Sequence, residues 1–166
     1  MKIATVYLDT SVINFLFHDD VPEFRKITEH FFNTTIKLGL VKCYVSDYVL
    51  EEVNQTKDKT KRDQLLKVIS DYNIEIVELT KQQEEEIEEL ANKYLEVGII
   101  PAKKVFDALH VAIVSVLNID YLVSWNYKHL ANVNKEAKFL QLNYTMNYHH
   151  NLRLVSPTAL TEYGND

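Results

Sequence analysis

Three carboxylates sit where solubility alone does not call for them. Asp9 ends the apolar run Ile3 to Leu8. Glu52 lies in the segment Ser46 to Val53. Asp107 interrupts Val105 to Leu117, a stretch that is apolar nearly all round. A carboxylate inside an apolar helix is costly unless a charge or a metal satisfies it. His110, three residues after Asp107, shares its helix face. If the three acids meet in one cleft they repel each other, and at neutral pH they require a cation. An oxygen-only donor set suits Mg²⁺ or Mn²⁺ and not zinc. Such a site can activate water for in-line attack on a phosphodiester and stabilise the leaving oxygen.

The elements that would bring these acids together follow from the hydrophobic pattern. Ile3 to Leu8 reads as a first strand, with Val12 to Phe17 a short helix capped by Thr10 or Ser11. Phe24, Ile27, Phe31 and Leu38 have helical spacing between Pro22 and Gly39. Leu40 to Ser46 is a second strand, and Ser46-Asp47 suits the start of a helix carrying Glu52. Thr56 to Arg62 is charged and expected to be exposed; Leu65 to Tyr72 continues as helix. Ile74 to Leu79 reads as a third strand. Thr80 with Gln83 makes a capping box for a helix burying Ile87, Leu90, Ala91, Tyr94 and Leu95, which Gly98 stops. Pro101 fits the first turn of the central helix. That helix leads into a strand from Tyr121 to Trp125, ending in Asn126-Tyr127-Lys128-His129. Helix from Asn134 to Asn147, strand from Leu152 to Val155 and a short helical tail from Pro157 complete the chain. Strands alternating with helices predict a parallel sheet covered on both sides. The strands' C-terminal ends would then point Asp9, Glu52, Asp107 and Asn126 at one crevice.

Composition sets the outer bounds. A chain of 166 residues, 46% hydrophobic and 25% charged, predicts one globular, soluble domain spanning residues 1–166. No apolar run is long enough to span a bilayer. Met1-Lys2-Ile3 leads straight into a strand, so no signal peptide is expected, and a cytoplasmic location is the default. The single cysteine, Cys43, reads as a buried structural thiol. A net charge of −6 argues against gripping nucleic acid by bulk electrostatics. It leaves room for a nuclease, because carboxylates that bind metal add negative charge to the metal-free chain. No GxGxxG or GxxxxGK[ST] run points to a dinucleotide or P-loop enzyme.

Each residue also has a plainer reading. Asp9 could cap the following turn, Glu52 could be a surface glutamate, and Asp107 could pair with Lys103 or Lys104. His110 is more simply a satisfied core histidine than a ligand. His149 and His150 read as surface residues, with no cysteine or acid nearby to complete a zinc set. Trp125 offers a face for a base, with core packing the simpler role. Lys57, Lys59, Lys61 and Arg62 could meet phosphates or simply start a solvated helix.

Four ordered segments carry a resemblance. Tyr7-Leu8-Asp9-Thr10-Ser11-Val12, Val45-Ser46-Asp47-Tyr48-Val49-Leu50-Glu51-Glu52-Val53, Asp107-Ala108-Leu109-His110-Val111-Ala112 and Asp120-Tyr121-Leu122-Val123-Ser124-Trp125-Asn126 resemble the motifs of PIN-domain ribonucleases, whose bacterial members include the VapC-like toxins of type II toxin–antitoxin systems. The resemblance runs from residue 3 to about residue 130. It implies a three-layer α/β/α fold with a central parallel sheet. It also implies a metal-dependent endoribonuclease, with Asp9, Glu52 and Asp107 as catalytic metal ligands for Mg²⁺ or Mn²⁺. Thr10, Ser11 and Ser124 would orient carboxylates or water through their hydroxyls. The second acid matches Glu52 better than Glu51. Many family members carry a fourth acid where Asn126 stands; an amide oxygen can ligate metal but brings no charge, and Asp120 is poorly placed to substitute. RNA, an antitoxin protein and a second copy of the chain are the partners the resemblance implies, the last through apolar surface near Phe24, Phe31 and Phe32.

Two other functions compete with a nuclease. A PIN-like domain that binds RNA or protein without cutting is favoured if Asn126 leaves the metal weakly held. A phosphatase or phospho-receiver using Asp9 fits less well: the phosphatase pattern wants an Asp where Ser11 stands, and the receiver pattern fits Glu52 and Asp107 poorly.

Overall fold

β1 (Ala4–Leu8) buries Ala4, Val6, Tyr7 and Leu8, so both of its faces are covered. A strand buried on both faces belongs inside a parallel sheet flanked by helices, and that is its place. The computed structural model describes residues 2–164; Met1 and the last residues of the tail lie outside the described residues. β1 is the centre of a five-stranded sheet with β2 (Val41–Val45), β3 (Glu75–Ile76), β4 (Tyr121–Val123) and β5 (Arg153–Val155), in the order β3-β2-β1-β4-β5. All pairings are parallel, with Val6 opposite Cys43 on one side and opposite Tyr121 on the other. The chain moves from β1 outward to β3, then crosses back to β4 on the other flank of β1. The topological switch point therefore lies between the C-terminal ends of β1 and β4, where open α/β sheets bind ligands.

Among the described residues seven α-helices flank the sheet, giving a three-layer α/β/α architecture. They are α1 (Thr10–Asn14), α2 (Pro22–His30), α3 (Asp47–Asn54), α4 (Lys59–Asp71), α5 (Lys81–Glu96), α6 (Val105–Val116) and α7 (Val133–Thr145). α6 is central: Ala108 and every residue from His110 to Ser115 are buried. A buried polar knot ties it to its neighbours. Tyr94 of α5 donates to Asn143 of α7, and Asn143 Nδ2 donates to Ser115 Oγ of α6 at 2.8 Å. The capping box at Thr80 and Gln83 is present, and Gly98 follows α5 at φ 77°, the left-handed region a C-terminal glycine allows.

Several expected boundaries shift for local reasons. α6 begins at Val105, not at Pro101, because Pro101 opens a turn closed by the Lys104 N–H donating to the Pro101 carbonyl at 2.8 Å. Of the expected third strand, Ile74 to Leu79, only Glu75 and Ile76 pair, both exposed at the sheet edge. β4 stops after Val123: the Ser124 N–H still bonds the Val155 carbonyl of β5, but the Trp125 N–H leaves the sheet for the Ser11 hydroxyl. α4 starts inside the charged stretch, capped by Asp58, which accepts from the Thr60 and Lys61 N–H groups. Beyond α2 the helix widens into a π-helical segment, Phe31–Ile36, in which the neighbouring Phe31 and Phe32 are both fully buried. Phe24 stacks on Trp125 with ring centroids 4.3 Å apart. Phe31 and Phe32 are thus spent inside the chain, while Phe24 stays half-buried.

Ile113 is fully buried in α6. Ile113→Ala is expected to lower stability by about 2–5 kcal/mol. Thr80→Ala, which removes only a cap, is expected to cost about 1 kcal/mol. Urea unfolding monitored by circular dichroism checks both.

Candidate active site

Asp9 follows the last residue of β1 and occupies the N-cap position of α1, yet its side chain caps nothing. Its carboxylate accepts from Ser11 Oγ at 2.5 Å on one oxygen and from Ser124 Oγ at 2.6 Å on the other. Those hydroxyls are themselves aimed by backbone: Trp125 N–H donates to Ser11 Oγ at 3.0 Å and Asn126 N–H to Ser124 Oγ at 2.9 Å. The turn that ends β4 therefore grips the residue that ends β1. Asp9 is only 3% exposed. Burial raises its pKa to about 6, against the lowering pull of His110, Ser11 and Ser124.

Glu52 projects from α3 toward the same place, while Glu51 is exposed. Its Oε1 accepts from Thr10 Oγ1 at 2.7 Å and pairs with His110 Nε2 at 2.6 Å. His110 is 1% exposed. The carboxylate takes the Nε2–H, and Nδ1 lies 2.8 Å from the Tyr7 hydroxyl. Tyr7 in turn lies 2.6 Å from Ser46 Oγ. Burial holds the Tyr7 phenol well above its usual pKa, so it keeps the proton it donates. Burial pulls Glu52 upward, but its bond to His110, the charge of His110, Thr10 and Lys104 together hold it below the usual carboxylate range.

Asp107 stands in the first turn of α6. Burial and then the nearby Glu52 raise its pKa, against His110 and Lys104. Neither Lys103 nor Lys104 forms an ion pair with it among the described residues. Asn126 Nδ2 donates to Asp107 Oδ2 at 3.2 Å, and Asn126 Oδ1 accepts the His129 N–H at 3.0 Å. Asp120 is tied to Thr5 at the opposite end of the strands. Trp125 is buried and donates from its indole to Thr28 Oγ1 at 2.8 Å, so its role is packing.

Asp9, Thr10, Ser11, Glu52, Asp107 and Asn126 line one cavity of about 240 Å³ at the switch point, with Asn14, Gln55 and Thr56 completing the wall. Those last three carried no signal in the sequence. The link from Glu52 through His110 to Tyr7 was missed too; the shared face of Asp107 and His110 was its only trace. The donor chemistry fits a hard divalent cation: the acids at the cavity offer oxygen donors, and desolvation raises the pKa of the buried Asp9 and of the half-buried Asp107. As they stand, no three acidic, histidine or cysteine side chains among the described residues are gathered tightly enough to enclose an ion. The reason is visible in Glu52, which is turned to Thr10 and His110.

The fold and this acid-lined switch point define a nuclease-type α/β domain. The PIN domain family matches residues 6–135, and the chain belongs to that family, whose members are in general nucleases. The chain is also similar to a chain in the crystal structure of VapBC2 from Rickettsia felis bound to a DNA fragment from their promoter. The TM-score is 0.55 at 17% identity, covering 92% of this chain and 98% of that one. None of the curated proteins matches the sequence. Among the described residues no helix is long and apolar enough to cross a membrane.

Millimolar Mg²⁺ or Mn²⁺ is expected to raise the melting temperature by binding the folded carboxylates. Asp107→Asn is expected to raise the melting temperature of the metal-free chain, by removing a half-buried, repelled charge, and to shrink the metal-induced shift. Differential scanning fluorimetry with a metal titration reads both; a wild type with no shift and no heat of binding counts against the site. Tyr7→Phe leaves His110 Nδ1 unpaired and is expected to cost about 1–3 kcal/mol, measured by urea unfolding.

Proposed function

We propose that the protein is an Mg²⁺- or Mn²⁺-dependent endoribonuclease acting as the toxin of a toxin–antitoxin pair. The observation that carries this reading is the convergence of Asp9, Glu52 and Asp107 on one cavity at the switch point of a PIN fold. The solved structure of similar fold is of VapBC2 with promoter DNA, which supports the toxin setting and a protein antitoxin as partner.

Asp9, Glu52 and Asp107 would hold the cation, with Asn126 beside them. Once bound, the cation supplies the positive charge that draws a phosphodiester to these acids and stabilises the leaving oxygen. Ser11 and Ser124 fix both oxygens of Asp9, so that carboxylate is oriented before substrate arrives. Thr10 and His110 do the same for one oxygen of Glu52. Asp107 Oδ1 carries no hydrogen bond among the described residues and is open to accept a proton from water. Water, its proton passed to Asp107, then attacks phosphorus; the bond from phosphorus to the 3′-oxygen breaks and that oxygen takes a proton from solvent, giving 5′-phosphate and 3′-hydroxyl ends. No lysine or histidine lines this cavity, and His110 is buried and engaged on both nitrogens. Attack by the ribose 2′-hydroxyl therefore has no side-chain base.

A second reading is a domain that binds RNA or protein without cutting. The bonding of Asn126 favours it: the amide donates to Asp107 and accepts from His129, so the fourth position adds no charge and has committed both ends.

RNA cleavage assays separate the two. Wild type is expected to cut RNA slowly with Mg²⁺ or Mn²⁺ and not in EDTA, and Asp9→Ala and Asp107→Ala are each expected to abolish cutting. If charge limits metal occupancy, Asn126→Asp lowers the Mg²⁺ needed for half-maximal rate. If the amide's bond to Asp107 is what matters, the same change slows cleavage at saturating metal. Absence of cutting by wild type with either metal selects the silent binder; cyclic phosphate ends, or activity in EDTA, overturn the mechanism. A small upstream reading frame encoding a DNA-binding domain with an amphipathic tail is expected for the toxin setting.

A further inference from the structure

The acid-lined cavity does not end at Asp107. Glu52, Gln55 and Asp107 also form one wall of an adjoining groove of about 430 Å³, whose other wall is Lys103, Lys104, Val105 and Phe106. Lys103 and Lys104 are exposed on the turn that leads into α6, and Lys128 is exposed on the loop after Asn126. Lys128 adjoins His129, whose backbone N–H donates to Asn126 Oδ1 at 3.0 Å, so this loop lies against the acid-lined cavity. Lys135 turns inward to the Ile99 carbonyl. The ammonium groups of Lys103, Lys104 and Lys128 form no ion pair and no hydrogen bond among the described residues, whereas Lys42, Lys67 and Lys93 each have a carboxylate partner. His129 Nδ1 in the same corner is buried without a partner among the described residues. Beside Lys128, Tyr127 is 46% exposed, with its ring braced edge-on by Phe24 and Trp125.

We propose that Lys103, Lys104 and Lys128 form a track for the phosphates of a single RNA strand whose scissile phosphate lies over the acids, and that Tyr127 takes a neighbouring base. The proposal rests on the ribonuclease reading above. A linear polyanion matches the layout: the groove runs into a cavity large enough for a phosphodiester and too small for a peptide helix. The lysines counter, on the approach, the repulsion the acids exert on any phosphate. A braced, half-exposed aromatic ring gives a stacking face that every base can use. Net negative charge elsewhere confines binding to this lip.

The test uses the Asp9→Asn chain, so that RNA stays intact, with a fluorescein-labelled single-stranded RNA followed by anisotropy over a salt series in Mg²⁺. Changing Lys103, Lys104 and Lys128 together to Ala is expected to weaken binding at least tenfold. It should also flatten the slope of log affinity against log salt by about 2, at roughly 0.7 per phosphate contact for a single strand. Changing the ion-paired Lys42, Lys67 and Lys93 to Ala removes the same charge and is expected to leave both quantities near the parent values. Changing the three track residues to Arg is expected to restore binding. Tyr127→Leu is expected to weaken affinity without altering the slope, since stacking releases no counterions. Equal affinity and slope in the track and control triple variants overturn the track, even when wild type cleaves RNA. Absence of cleavage by wild type with either metal, together with no RNA binding by the Asp9→Asn chain, instead removes the ribonuclease reading itself.

Discussion

The grip of Ser11 and Ser124 on the buried carboxylate of Asp9 is the interaction on which the site depends. A carboxylate that is almost out of water is tolerated only when its lone pairs are met. Here each oxygen receives a hydroxyl, and each hydroxyl is aimed by a backbone N–H of the turn after β4. The arrangement ties the ends of two adjacent parallel strands together at the switch point. It also orients the acid from behind, so the cavity side remains open. Ser11 and Ser124 therefore serve fold and chemistry at once: they join β1 to β4, and they set the direction of the carboxylate.

Glu52 is organised by a different device. Its partner is a histidine so buried that it needs a second hydrogen bond of its own, and Tyr7 supplies it from the middle of the sheet. Tyr7, His110 and Glu52 thus form a line from the core to the cavity. The line explains why a polar pair is tolerated on the most apolar helix of the chain. It also explains why the acids, though they share a cavity, are not closed around a point: one of them is held by its histidine. Asp107 is steadied by an amide rather than by a charge, which leaves its second oxygen unengaged.

The electrostatics of the molecule are divided by place. Acids whose pKa values are raised by burial line the cavity, while unpaired lysines stand at its lip. Net charge alone describes neither. Fields that act over a Debye length or less are set by local arrangement, and here the arrangement puts opposite signs within one continuous groove.

Much of this was legible in the sequence, for a clear reason. Alternating apolar runs and helical periodicities are local, and the parallel sheet follows because strands separated by helices have few other ways to bury their apolar faces. Asp9 and Asp107 were legible because a carboxylate beside or inside an apolar element stands out against its neighbours. Glu52 by itself read as a surface glutamate, and only the resemblance of its segment to the family motif singled it out from Glu51. What only tertiary structure decided is where side-chain polar groups spend their bonds. Thr10 and Ser11 could cap a helix or orient carboxylates, and the fold decides for the second by bringing Glu52 to Thr10 and the β4 turn to Ser11. Phe31 and Phe32 looked like spare apolar surface, and a widened helix absorbs them. Pro101 looked like a helix start, and a turn bond delays the helix to Val105. Asn126 looked like a weak fourth ligand, and its two ends are taken by Asp107 and by the backbone of His129. In each case the local sequence limits what a residue can do, and the choice among its hydrogen bonds belongs to partners far along the chain that only the fold brings near.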